Sequence, residues 1–266
     1  MSLKDSSSTA DSQIEQSTSL ATFFILWSGQ FVSTLGTALT GFGLAFWYLE
    51  THQTVTGYAL IGFAISAPSI LLTPFLGVLV DRWNRRIVML SCHAGAGLCS
   101  VWIIALYLLD NLNIALILPA IVISAILNAM IRPAFTAVTS LLVEKKQLGK
   151  ASGLIGMGNA VVMLFVPPLA AFLVTVIDLG GILILDVLTF IYAICTLLLI
   201  AIPTPGVTEE EQKPTMRRAF AEGWQYIRCR RPLIELLVLI WFAGFGAGMV
   251  NALFPPLVLS FTDTSN

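Results

Sequence analysis

Residues Gly77–Arg86 read GVLVDRWNRR, a hydrophobic run that ends in Asp81, Arg82, Arg85 and Arg86. Only 11% of the 266 residues are charged, so such a cluster marks a place where the chain leaves an apolar medium. On either side the sequence is too hydrophobic for a soluble domain, with 57% apolar residues and a mean hydropathy of +0.88. The decapeptide therefore reads as a loop between two membrane spans, and the fold class as an all-α polytopic membrane protein.

A helix crosses the hydrocarbon core of a bilayer, about 30 Å, with roughly 20 residues. Working outward from the loop, seven apolar runs meet that length: Leu20–Leu49, Tyr58–Val80, Ile87–Leu109, Ile114–Leu142, Ala151–Ile177, Gly181–Ile202 and Leu236–Phe261. None alternates with period two, which leaves helices as the spanning structure that satisfies the backbone. The expected organisation is a polar tail over 1–19 without the pattern of a signal peptide, a six-span block over 20–202, a linker over 203–232 and the start of a further block over 233–266. In the linker Phe220, Trp224 and Ile227 recur at helical spacing among arginines. That pattern predicts a helix on the inner membrane surface, drawn to anionic lipids.

Charge sets the orientation. With the amino terminus cytoplasmic, Lys4, Arg82, Arg85, Arg86, Lys145, Lys146, Lys150, Lys213, Arg217, Arg218, Arg228, Arg230 and Arg231 all fall inside, 13 of the 14 basic residues. The opposite loops hold no Lys or Arg, as the positive-inside rule requires. The expected location is a plasma (inner) membrane. Cys92, Cys99, Cys195 and Cys229 show no metal or redox spacing. No phosphate-binding loop, hydrolytic triad, metal cluster or nucleic-acid surface is legible, so the reading is not an enzyme and calls for no cofactor. The GFGAG of Gly244–Gly248 lies inside an apolar run with no strand before it and reads as small-residue helix packing.

The decapeptide resembles the signature of the major facilitator superfamily, Gly-x-x-x-Asp-Arg-x-x-Arg-Arg/Lys. GQFVSTLGTALTGFGLAFWYLE, RPAFTAVTSLLVEKKQLGKASGL, ILDVLTF and EGWQYIRCRRP are similar to its branch of macrolide-efflux and enterobactin-exporter-like proteins. The resemblance implies two six-helix halves, each of two inverted three-helix repeats, around a central cavity. This chain supplies the first half plus a seventh helix, so a missing carboxyl-terminal half is expected. It also implies that Gly77, Asp81, Arg82, Arg85 and Arg86 latch a cytoplasmic gate, with Gly77 allowing close helix approach and Asp81 facing a neighbouring helix amino terminus. Asn84 stands where many members have Gly, and an Asn tolerates the left-handed turn.

Intramembrane polar residues supply the remaining candidates. Gln30, Ser33, Thr34 and Thr37 form a stripe at helical spacing, either substrate contacts or bonds between packed helices. Arg132, about 27 Å along span four, sits near the cytoplasmic edge, where it can snorkel. With Asn128 one turn away it also resembles a helix-four arginine that some members link to proton transfer. Asp186, about five residues into span six, is expected within reach of water and in a structural or capping role more than a proton-linked one. No deep carboxylate is evident. His93 reads as a hydrogen-bonded packing residue. Of the glycine-rich exporter motif in span five only Gly153 and Pro167 remain, with a bend expected at Pro167.

The function these readings point to is secondary active efflux of amphipathic small molecules such as macrolide-type drugs, in exchange for protons, by alternating access. The alternatives are a transport-inactive fragment or pseudogene product, a siderophore exporter, and a half that pairs with a separate partner. Substrate identity, coupling ion and oligomeric state are not legible in the sequence.

Overall fold

The computed structural model describes the backbone of residues 3–200, 225 and 228–262, and side chains from residue 20 onward except 73, 74, 78, 81, 82, 240, 247 and those beyond 248. Six helices follow in order: α1 (Leu3–His52), α2 (Val55–Arg82), α3 (Arg85–Leu108), α4 (Ile114–Leu142), α5 (Leu148–Leu199) and α6 (Arg231–Thr262). Residues 3–19, expected as a tail, continue the helix of α1. Most of the linker, with the surface helix expected there, lies outside the described residues.

Spans five and six fuse into α5, whose 52 residues would reach about 78 Å if straight. A break at Asp178 (φ 60°, ψ 175°) divides it into limbs of 148–177 and 179–199. That backbone conformation is nearly reserved for glycine and costs about 1–3 kcal/mol elsewhere. Here the Asp178 carboxylate offsets it by accepting from Leu179 N at 2.7 Å and from the Tyr107 hydroxyl. Through Pro167 and Pro168 the backbone keeps helical dihedrals, so the departure from helix geometry in α5 lies eleven residues beyond the expected bend.

Two asparagines start helices. Asn84 Oδ1 accepts from Arg86 N at 3.0 Å and Asn113 Oδ1 from Ala115 N at 3.0 Å, each satisfying an orphan amide of a first turn. Asn84 has φ −66° and ψ 112°, so it caps α3 from an extended conformation and does not take up the left-handed turn.

Among lipids the hydrophobic effect no longer drives helix against helix, and close packing of small residues does. Gly29, Gly36 and Gly43 recur every seventh residue on α1 and lie against Thr196, Thr189 and Ile182 of the second α5 limb, which step back by the same seven. The two helices run antiparallel in one register, held as close as the absent side chains allow. The other face of α1 meets the first limb through Leu39, Val162, Val166 and Ala170. α4 packs on both α2 and α3 as α1 does on both limbs of α5, the exchange expected of two three-helix repeats.

Two apolar layers result. One, at the end of the bundle that bears the Arg82–Arg85 turn, gathers Phe23, Leu26, Met89, Val138 and Leu197; the other, at the opposite end, gathers Leu44, Ile61, Ile117 and Leu183. Outward surfaces carry Leu71, Leu98, Leu108, Met163 and Leu199 exposed, a face too apolar for water and suited to lipid. Five helices among the described residues are long and apolar enough to cross a membrane. α6 touches α2 and leaves Trp241, Phe242 and Phe245 exposed.

At Gly36 a Cβ would collide with the Thr189 side chain, whereas at Gly153 it meets no heavy atom within 4 Å. Gly36→Leu is therefore expected to destabilise the bundle by about 1–3 kcal/mol, and Gly153→Ala to leave it unchanged or slightly firmer. Thermal unfolding of the detergent-solubilised variants, followed by circular dichroism, checks both.

Candidate functional site

Between the two apolar layers the bundle is polar. Gln30, Ser33, Thr40, His93, Ser100 and Asp186 are all buried there. Beside them opens a cavity of about 450 Å³, lined on α1 by Thr37 and Thr40, on α2 by Ser66 and Ser69, on α3 by Ser100, on α4 by Ser124, Asn128 and Arg132, and on the second α5 limb by Asp186. Apolar side chains such as Leu44, Ile65, Ile70, Ile103 and Ile121 form much of the remaining wall. An apolar wall with a few convergent polar groups is the composition of a small-molecule site.

The α1 stripe divides by function. Gln30 Nε2 lies 2.9 Å from His93 Nε2 and Ser33 Oγ 3.4 Å from His93 Nδ1, while the Thr34 hydroxyl donates to Gln30 O at 2.7 Å. Those three are occupied by packing bonds and do not line the cavity; Thr37 does. His93 is 1% exposed, against the ring of Phe190, so both its nitrogens find their partners on α1. On α4, Asn128 Nδ2 donates to Ser124 O at 2.9 Å and approaches Ser124 Oγ at 3.3 Å. Ser124, Asn128 and Arg132 follow one another at four-residue spacing on the cavity side. Arg132 has ten more residues of helix beyond it, about 15 Å, so it stands well short of the carboxyl-terminal end of α4.

Asp186 departs furthest from expectation. It is 2% exposed, lies seven residues or about 11 Å into its limb, and accepts from Ser100 Oγ at 2.7 Å. It is neither water-washed nor a cap, and it is the deep carboxylate the sequence did not reveal. The hydroxyls of Thr37 and Thr40 lie beside the same carboxyl.

Where α2 meets α3, a Cβ at Gly77 would meet no described heavy atom within 4 Å. Arg86 Nη2 donates to Leu198 O at 3.0 Å, tying the start of α3 to a terminal carbonyl of α5. Arg85 Nε and Arg86 Nε are buried without a partner among the described residues. The side chains of Asp81 and Arg82 lie outside them.

The family model of the Major Facilitator Superfamily matches residues 26–265. The chain belongs to this superfamily. Among its facilitator relatives, macrolide efflux protein A of Streptococcus pyogenes is 30% identical over 245 residues, covering 90% of this chain and 59% of the relative. Macrolide efflux protein A of Enterococcus faecalis is 31% identical over 210 residues, 78% of this chain and 63% of the relative. The uncharacterized MFS-type transporter YkuC of Bacillus subtilis is 26% identical over 235 residues, 85% and 54% respectively. The chain thus spans about three fifths of the length of these facilitators. It is a multi-pass membrane protein of a transporter family.

Thr40, Ser66, Ser69, Ser100 and Ser124 escaped the sequence reading, although Thr40 extends the α1 stripe by one turn and Ser124 precedes Asn128 by one. Replacing His93 by Leu strands the Gln30 amide in an apolar interior, at an expected cost of about 1–3 kcal/mol. A Gln30→Met, His93→Leu double variant should recover part of that loss. Unfolding midpoints of the two single variants and the double variant measure the coupling.

Proposed function

We propose that this chain works in a secondary active efflux transporter that expels amphipathic small molecules, macrolide-type drugs among them, by alternating access and in exchange for protons. The observation that carries the reading is the cavity: apolar walls, a cation in Arg132 and a buried carboxyl in Asp186, within a superfamily bundle related to two macrolide efflux proteins. Apolar walls suit a greasy substrate, and the hydroxyls and Asn128 give it hydrogen bonds without demanding one shape. Thr37, Asn128 and Arg132 contact the substrate in this reading.

The segment over residues 77–86, which runs from the end of α2 through Trp83 and Asn84 into α3, is the gate. Asp81 and Arg82 act at the inner end of α2, Arg85 and Arg86 at the start of α3, and the bond from Arg86 to Leu198 O joins the gate to the limb that bears Asp186. The amino terminus faces the cytoplasm of a plasma (inner) membrane, where the basic loops meet anionic lipids.

The test is accumulation of a radiolabelled macrolide in cells producing the chain. Energy-dependent efflux should disappear with a protonophore, fall several-fold in Asp81→Asn with membrane insertion unchanged, and fall further in Arg132→Gln. Accumulation equal to that of cells lacking the chain overturns the reading. Full efflux in Asp81→Asn overturns the gate.

A further inference from the structure

Arg132 is the charge that the cavity leaves open. It is exposed, whereas Asp186 at the same cavity is 2% exposed, takes a hydrogen bond from Ser100 and has the hydroxyls of Thr37 and Thr40 beside it. Ile117 of α4 and Leu183 of α5 share one apolar layer, and counted from them Arg132 lies about 15 Å further along the bundle than Asp186. The cavity is therefore polarised, with a sealed acid toward one end and a bare cation toward the other. Among the described residues no carboxylate comes within ion-pair distance of the Arg132 guanidinium.

α4 turns that cation away from lipid. Ile123 and Leu141, both exposed, lie nine residues from Arg132 on either side, two and a half turns, and so point to the opposite side of the helix. On the side of Arg132 one polar residue follows per turn, from Ser124 through Asn128 to Thr136, whose hydroxyl donates to Arg132 O at 3.0 Å. None of these neighbours is acidic. A charged side chain that faces the inside of a membrane bundle marks a ligand pathway. The ligand that suits a guanidinium is an anion whose oxygens meet its planar fork of donors, and in an apolar cavity such charge-assisted bonds are strong. Toward the Asp186 end the walls include Leu44, Ile65, Ile103 and Ile121, which suit an apolar body, and about 450 Å³ admits a drug-sized molecule.

We propose that Arg132 sets specificity at this cavity, and that the preferred substrates are amphipathic organic acids, with one carboxylate or sulfonate group on an apolar body. The anion seats on Arg132 and the body lies toward Ile103 and Ile121. A neutral molecule of the same shape forfeits the ion pair, and a cationic one meets repulsion. The anion site stands on the geometry of the cavity; its use in export rests on the efflux reading.

Equilibrium dialysis against the chain in nanodiscs of zwitterionic lipid, with empty discs subtracted, tests the preference. The probes are three radiolabelled compounds on one naphthalene body: a sulfonate, its sulfonamide and a trimethylammonium salt, whose charges are fixed near neutral pH. The sulfonate should bind roughly tenfold more tightly than the sulfonamide, and the cation more weakly than either. Arg132→Gln should bring the sulfonate down to the level of the sulfonamide and leave the sulfonamide unchanged, while Arg132→Lys should keep part of the preference. An arginine that only supports the fold would lower all three probes together. That result overturns the proposal, as does a wild-type chain without the sulfonate preference, or a preference that survives Arg132→Gln. Loss of the preference when phosphatidylglycerol replaces part of the lipid assigns Arg132 to a lipid headgroup and overturns it too. An Arg132-dependent preference in a chain that drives no efflux removes the transport reading and leaves the anion site; energy-dependent efflux without that preference removes the anion site and leaves the transport reading.

Discussion

The close antiparallel contact of α1 with the second limb of α5 governs what else can meet in this bundle. Helices in lipid associate by fit, and here the fit is a glycine every seventh residue on one side matched by Thr196, Thr189 and Ile182 on the other. Once Gly36 lies against Thr189, helical geometry brings Thr37 and Thr40 toward Asp186, one turn before Thr189. The polar centre is thus a by-product of backbone proximity: a larger residue at Gly36 would hold the helices apart and withdraw the hydroxyls from the carboxyl.

The polar layer divides into a sealed half and an open half, with opposite consequences. Gln30, Ser33 and His93 satisfy one another out of reach of the cavity, so they tie α1 to α3 through side chains alone. One to two turns further along α1, Thr37 and Thr40 line the cavity beside the Asp186 carboxyl. The same kind of side chain on the same helix face holds the fold together at one level and lines the cavity at the next.

The fold was legible because its determinants are local or compositional. Apolar length gave the spans, and the signature motif led to the superfamily that residues 26–265 match. The site was harder to read, because each misjudged residue depends on a partner distant in sequence. Asp186 looked shallow because the join between spans five and six was taken as several residues, whereas it is Asp178 alone; the limb therefore starts earlier and buries the carboxyl deeper. Gln30 and Thr37 look alike as polar residues in an apolar run, and only the position of His93, 63 residues after Gln30, separates them.

The single-residue join at Asp178 also bears on how the bundle is assembled. A single residue joins the two limbs of α5, and the second brings an acidic group among apolar spans. Synthesis runs from the amino terminus, so α1 with Thr37 and Thr40, and α3 with Ser100, are already made when Asp186 leaves the ribosome. The order of the chain supplies the oxygens before the acid that needs them, and the reverse order would leave that acid to face lipid alone.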